Sequence, residues 1–173
     1  MKRFFLMAFL VFSSLMMRAQ SLDDIKEMIN KSQFTEAKAA IDKFLSSSRN
    51  SNDAEAWYYK GRIYNGLSGN SAVADSAYSL KMQAYDAFRK NQSLDSKDLW
   101  LKLEAYGSYL DLYAGFYDLG AKQFNAKNFE GAYNAFKKAI DVKDYCLAKK
   151  YTYEQITFYP LDTALTLNTA ISA

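Results

Sequence analysis

The sequence predicts an all-α chain built as a solenoid of antiparallel helix pairs. Three observations carry this. Apolar residues recur at three- and four-residue spacing through most of the 173 residues, and polar clusters interrupt that period at intervals suited to short interhelix turns. The stretch 113–146 also orders small and large residues as Leu119-Gly120, Phe124, Phe129, Ala132, Phe136 and Ala139. Gly and Ala there let two helices approach closely, and the aromatics fill the space between them. One such hairpin cannot bury its apolar face alone and must stack on others.

In order along the chain, residues 1–19 read as a secretory signal peptide. Lys2 and Arg3 form a positive start, an apolar run follows to Met17, and Ala19 offers a small residue before Gln20. The run is shorter than the roughly 18–20 residues of a spanning helix and Arg18 closes it; an uncleaved anchor is the alternative. Within 22–45, Leu22, Ile25, Met28 and Ile29, then Phe34, Ala37, Ile41 and Phe44, predict two helices meeting at 31–33. A polar cluster at 46–53 ends the pair, and Asp53 is placed to cap the next helix. That helix, about 54–67, holds Trp57, Gly61 and Tyr64. Its partner runs from about 72 to 91 with Ala84 and Phe88 four residues apart.

From 99 to 126 the helical period hardly pauses, which predicts one long helix containing Gly107, Gly115 and Gly120. Each glycine costs about 1 kcal/mol relative to Ala, so a closely packed neighbour is the expected compensation. Lys127-Asn128 makes a turn, and 129–142 returns as a helix. Residues 145–160 gather Tyr145, Tyr151, Tyr153, Phe158 and Tyr159 with the only Pro, and predict either an aromatic flap or a packed crossover. A last helical segment, 161–173, has Asp162 as its cap and apolar Leu165, Leu167 and Ile171. Its lack of a partner or capping helix leads to the expectation that the chain is the N-terminal part of a longer protein.

Trp57, Gly61 and Tyr64, and the 113–146 pattern, resemble the tetratricopeptide (TPR) repeat. The resemblance spans nearly all of 20–173 as a TPR-like domain, with repeats at about 20–51, 54–98 with an insertion, and 113–146, and a partial one at 161–173. The departures are a first repeat without Trp or Gly, Ser96 in place of the terminal Pro, and Asn168 in place of Gly. The resemblance implies a right-handed superhelix whose concave groove, lined by the first helix of each pair, binds peptides or proteins. Mapped onto those helices, the candidate binding residues are Lys26 and Asn30, then Tyr58, Arg62 and Asn65, then Tyr117, Ala121 and Asn125. Asn amides suit an extended peptide backbone, and Tyr rings give rigid contact area with a polar tip; the plain alternative is a solvated surface. The Lys and Asn clamp of chaperone-binding members is not matched.

Composition excludes several chemistries. The chain has no His, and its single Cys146 forms no intramolecular disulfide, so zinc sites, serine triads and Cys–His pairs are not available within it. Cys146 is either a half-buried apolar filler at the end of a helix or an interchain partner. The 22 Lys and Arg against 19 Asp and Glu become 19 against 19 once Lys2, Arg3 and Arg18 are set aside, so no nucleic-acid partner is expected. No cofactor or metal is expected either. The sequence therefore predicts a non-enzymatic binding scaffold of the cell envelope, exported to the periplasm or outer membrane, with a protein or peptide partner. The alternatives are a nutrient- or glycan-binding module using 145–159, given 14 Tyr and 12 Phe, and the non-catalytic part of a larger enzyme.

Overall fold

The computed structural model describes residues 21–154 and 156–173, so the signal-peptide expectation falls outside the described residues. All regular structure among them is helical. The first hairpin is α1 (Leu22–Asn30) and α2 (Phe34–Ser46). Ser21 and Asp24 form a reciprocal capping box at the start of α1, satisfying two otherwise orphaned N–H groups. Ser32 takes a positive φ of 57° in the turn, which lets the chain reverse within three residues.

The second hairpin is α3 (Ala54–Asn70) and α4 (Ala74–Leu94), opened by Asp53, whose carboxylate accepts the Ala56 N–H. The third is α6 (Gly107–Asn125) and α7 (Phe129–Lys149), turned by Lys127 at φ 62° and capped by Asn128. Between them lies the short α5 (Leu99–Leu103), and α8 (Thr163–Ser172), capped by Asp162, ends the chain.

The hairpins are held where glycine meets phenylalanine. A Cβ on Gly61 would stand 2.5 Å from the Phe88 ring, and one on Gly120 would stand 2.5 Å from the Phe136 ring. Both rings are almost wholly buried, each contributing about 2–3 kcal/mol by apolar burial. Every long helix packs on the next one, α1 also touches α3, and α3 also touches α5 and α6. One apolar cluster runs from Ile25 to Leu165 through all eight helices of the described residues.

Three expectations are corrected. The predicted long helix over 99–126 is broken at 104–106, because Ala105 and Tyr106 have positive φ values of 51° and 59°. The break is held from outside: the Tyr106 ring stacks on Tyr151 at 3.7 Å, and Glu104 turns its carboxylate to the Ser108 N–H and the Tyr58 hydroxyl. Second, the closely packed neighbour expected at all three glycines is present at two of them and missing at Gly107; Gly120 meets the Phe136 ring of the next helix. Gly115 faces the Lys81 side chain, while Gly107 opens α6 with nothing near it. Third, the returning helix runs to Lys149 rather than Val142, which puts Cys146 inside it and fully buried.

Candidate binding cleft between α3 and α6

Arg62 and Asn65 project from α3 into a cleft of about 280 Å³. The opposite wall is the α5–α6 corner, with Glu104, Gly107, Ser108 and Asp111, and the Phe34 ring closes one end over Gly66. The broken helix makes this wall. Were 99–126 continuous, Glu104 would lie on the helix rather than at a corner that turns it toward α3. Its Oε1 accepts the Ser108 N–H at 3.2 Å and its Oε2 accepts the Tyr58 hydroxyl at 2.9 Å.

Lys81 supports Asn65, one of the residues that line the cleft. It extends from α4 between α3 and α6, and its Nζ donates a 2.7 Å hydrogen bond to Asn65 Oδ1. The space in which a Cβ of Gly115 would sit is taken by the end of the lysine chain. Burial pulls the ammonium down to about 8, against the charges of Asp111 and Asp118, which act to raise it. The residue is only 6% exposed. The cleft is thus ringed by charges of both signs, with Arg62 facing Glu104 and Asp111.

The eight sequence-derived candidates fall in different settings. Arg62 is exposed, its guanidinium 6.0 Å from the Tyr58 ring centroid, and Asn65 is half-buried beside it. Tyr58 is 5% exposed and belongs to the core rather than to an open wall: it stacks on Trp100, and burial with the adjoining Glu104 carboxylate raises its hydroxyl pKa. Lys26 is half-buried in ion pairs with Glu55 at 2.6 Å and Asp23 at 3.1 Å, and the Glu55 bond raises its pKa against the effect of burial. Asn30 and Asn125 are exposed as the last residues of α1 and α6. Tyr117 lies edge-on to Phe136, and its hydroxyl oxygen accepts from Asn168 on α8 at 3.4 Å; Ala121 is half-buried nearby.

Glu104, Ser108, Asp111 and Lys81 were absent from the sequence-derived set. Asp111 and Asp118, seven residues apart around Gly115, were the available signal, because residues at that spacing share a helix face. Nothing local marked Lys81 as reaching that face from another helix.

The aromatic segment after α7 is a packed crossover. Gln92 sits at its centre: its Oε1 accepts from the hydroxyls of Tyr109 and Tyr145, and its Nε2 donates to Tyr151. Tyr153 donates to the Tyr106 carbonyl, and Phe158 lies edge-on to Tyr113. Lys143 fastens the far end through the carbonyls of Tyr159 and Pro160. Of these rings Tyr159 alone is widely exposed, at 67%. Shallow depressions of about 300 and 250 Å³ flank residues 156–158. A wider depression, about 540 Å³, lies at Ala40, Phe44 and Arg49 beside Ser21, where the described residues begin, and holds none of the candidates.

Among the described residues no helix is long and apolar enough to cross a membrane, and no group of three or more His, Cys, Asp or Glu is placed to hold a metal ion. Compared with known proteins, the chain matches no protein-family model, no curated protein and no solved structure.

Proposed function

We propose that the chain is a non-enzymatic scaffold of the bacterial cell envelope, a TPR-like right-handed solenoid that holds a protein or peptide partner against the face formed by α1, α3 and α6. The observation that carries this reading is the open cleft in which Arg62 and Asn65 of α3 meet Ser108 and Asp111 of α6. A cleft walled by two successive first helices gives a partner hydrogen-bonding groups of both kinds from rigid supports.

The stacked architecture is supported by the order of contacts, α1 on α3 and α3 on α6, and by the recurrence of Gly61–Phe88 as Gly120–Phe136. Export is supported by the composition of residues 1–19. The glycan-binding alternative draws less support, because Tyr145, Tyr151 and Tyr153 spend their hydroxyls and ring faces on the crossover itself.

The test is crosslinking in envelope preparations followed by mass spectrometry of what is captured, comparing the wild type with Arg62→Glu and Asp111→Lys. Both residues are exposed, so circular dichroism should show the fold unchanged. A partner lost from both variants supports the cleft. An unchanged set of captured proteins overturns the assignment.

A further inference from the structure

The two walls of the cleft differ in the hydrogen-bonding groups they leave unused. On α3, Arg62 and Asn65 stand three residues apart and share a helix face. The Lys81 ammonium can only donate, so its bond to Asn65 Oδ1 fixes which way the amide points and leaves Nδ2, which makes no hydrogen bond among the described residues, to the cleft. The Arg62 guanidinium has no hydrogen bond or ion pair among them either. On α6, Ser108 and Asp111 repeat the same spacing. Ser108 is 6% exposed, and its hydroxyl, unlike its N–H, has no partner among the described residues. Buried hydroxyls are as a rule paired, so one left open on a cleft wall is a place for a ligand atom or the water it displaces. The Asp111 carboxylate acts on Lys81 through its charge but makes no hydrogen bond or ion pair among the described residues. The α3 wall thus offers donors and the α6 wall acceptors, with one positive and one negative charge free.

We propose that the cleft takes a neutral amide group, whose carbonyl oxygen accepts from Asn65 Nδ2 and Arg62 while its N–H donates to Asp111 and the Ser108 hydroxyl oxygen. This rests on the cleft reading of the proposed function and names the chemical group that the partner inserts. A carboxylate would face Asp111, and the Ser108 N–H at the start of α6, the donor that would favour an anion, is already held by Glu104. An ammonium would face Arg62. A neutral group that carries both a donor and an acceptor satisfies both walls and brings no charge of its own to desolvate. The amide comes from a Gln or Asn side chain or from the partner's main chain.

Titrations followed by two-dimensional amide NMR distinguish these sources. Propionamide stands for the side chain, N-methylacetamide for the main chain, and acetate and methylammonium are the charged controls. Saturable shifts are expected within 62–66 and 104–111, with a Kd on the order of 10 mM for the better amide and at least about fivefold weaker binding of both ions. The tighter amide identifies the source. Asn65→Asp keeps the shape and the contact with Lys81 but turns the donor edge into an acceptor, and should weaken amide binding by at least about fivefold. Ser108→Ala should weaken it by about threefold or more while leaving the melting temperature unchanged or raised, because the free protein loses no hydrogen bond. Gln83→Glu, exposed on α4, should leave binding unchanged. Shifts outside the cleft alone, binding indifferent to Asn65→Asp, or acetate bound as tightly as the amides overturns the inference. If no probe moves the cleft residues while capture of a partner still depends on Arg62 and Asp111, this inference fails and the cleft reading stands. Amide binding in the cleft with an unchanged set of captured proteins separates the two in the opposite sense.

Discussion

The ammonium of Lys81 and the side-chain oxygen of Asn65 are joined across two helices by a 2.7 Å hydrogen bond that is the lysine's single hydrogen bond among the described residues. Lys143, equally buried, uses its donors fully, on two carbonyls and on Asp144. The contrast marks Lys81 as a cost to stability.

Replacing Lys81 by Met should therefore stabilise the protein. Lowering its pKa from 10.5 to about 8 corresponds to a cost on the order of 3 kcal/mol. Loss of the bond to Asn65 returns about 1 kcal/mol, leaving a net gain of about 2 kcal/mol at pH 7. Below pH 8 the lysine is charged in both folded and unfolded chains, so the whole cost is present. Between pH 8 and 10.5 the folded chain has released a proton that the unfolded chain still holds, so wild-type stability rises with pH. Above pH 10 Tyr64 and Tyr113, held up to about 12 by burial and by Asp42 and Asp162, reverse the trend, since the unfolded chain ionises first. Urea denaturation at pH 7, 8, 9 and 10 checks this: the advantage of Lys81→Met should shrink steadily across the series, and a constant difference would refute the account.

Gly120→Ala should destabilise. The added methyl gains about 1 kcal/mol of helix propensity but drives into the Phe136 ring, an overpacking cost of about 1–3 kcal/mol. A net loss of about 1 kcal/mol is expected in thermal or urea unfolding. Gly69→Ala is the control: nothing lies within 4 Å of its added carbon, so it should be neutral or gain up to about 1 kcal/mol.

Tyr58→Phe removes a hydrogen bond to a carboxylate and should cost about 2 kcal/mol. In a Glu104→Ala background the same change should cost far less, because the acceptor is already gone. Equal costs in both backgrounds, measured in a double-mutant cycle, would separate the two residues energetically.

These residues also show what the sequence made readable. Helix pairs and the caps Asp53 and Asp162 are local or strictly periodic and stood out from spacing alone, as did the small and aromatic residues of 113–146, whereas which ring meets which glycine is a matter of how the helices pack. The break at 104–106 did not, because Glu104, Ala105 and Tyr106 continue the helical period; the energy favouring the turn comes from Tyr151 and Tyr58, 45 and 46 residues away in sequence. The candidate wall was likewise half legible. Arg62 and Asn65 follow from the register of α3, but their opposite side exists only once the predicted helix is broken. Lys81 enters by a path that no single helix reveals.

The crossover gives the last prediction. Cys146 is buried under it, its Sγ 3.5 Å from the Tyr153 hydroxyl, and burial raises the thiol to about 11. In the closed protein at pH 8 it should resist thiol reagents on both counts, lacking thiolate and access. Labelling must then wait for the segment 150–162 to lift. Lys143 opposes that motion by holding the carbonyls of Tyr159 and Pro160 at 3.2 and 2.7 Å. Lys143→Met deletes both bonds while keeping the aliphatic packing, so opening should become easier by at least about 1.4 kcal/mol and labelling faster by at least about tenfold. Peptide hydrogen exchange should locate the change in 150–162, with α3 and α4 unaffected. A uniform increase over the chain would instead mean that Lys143 supports the whole fold rather than fastening one segment.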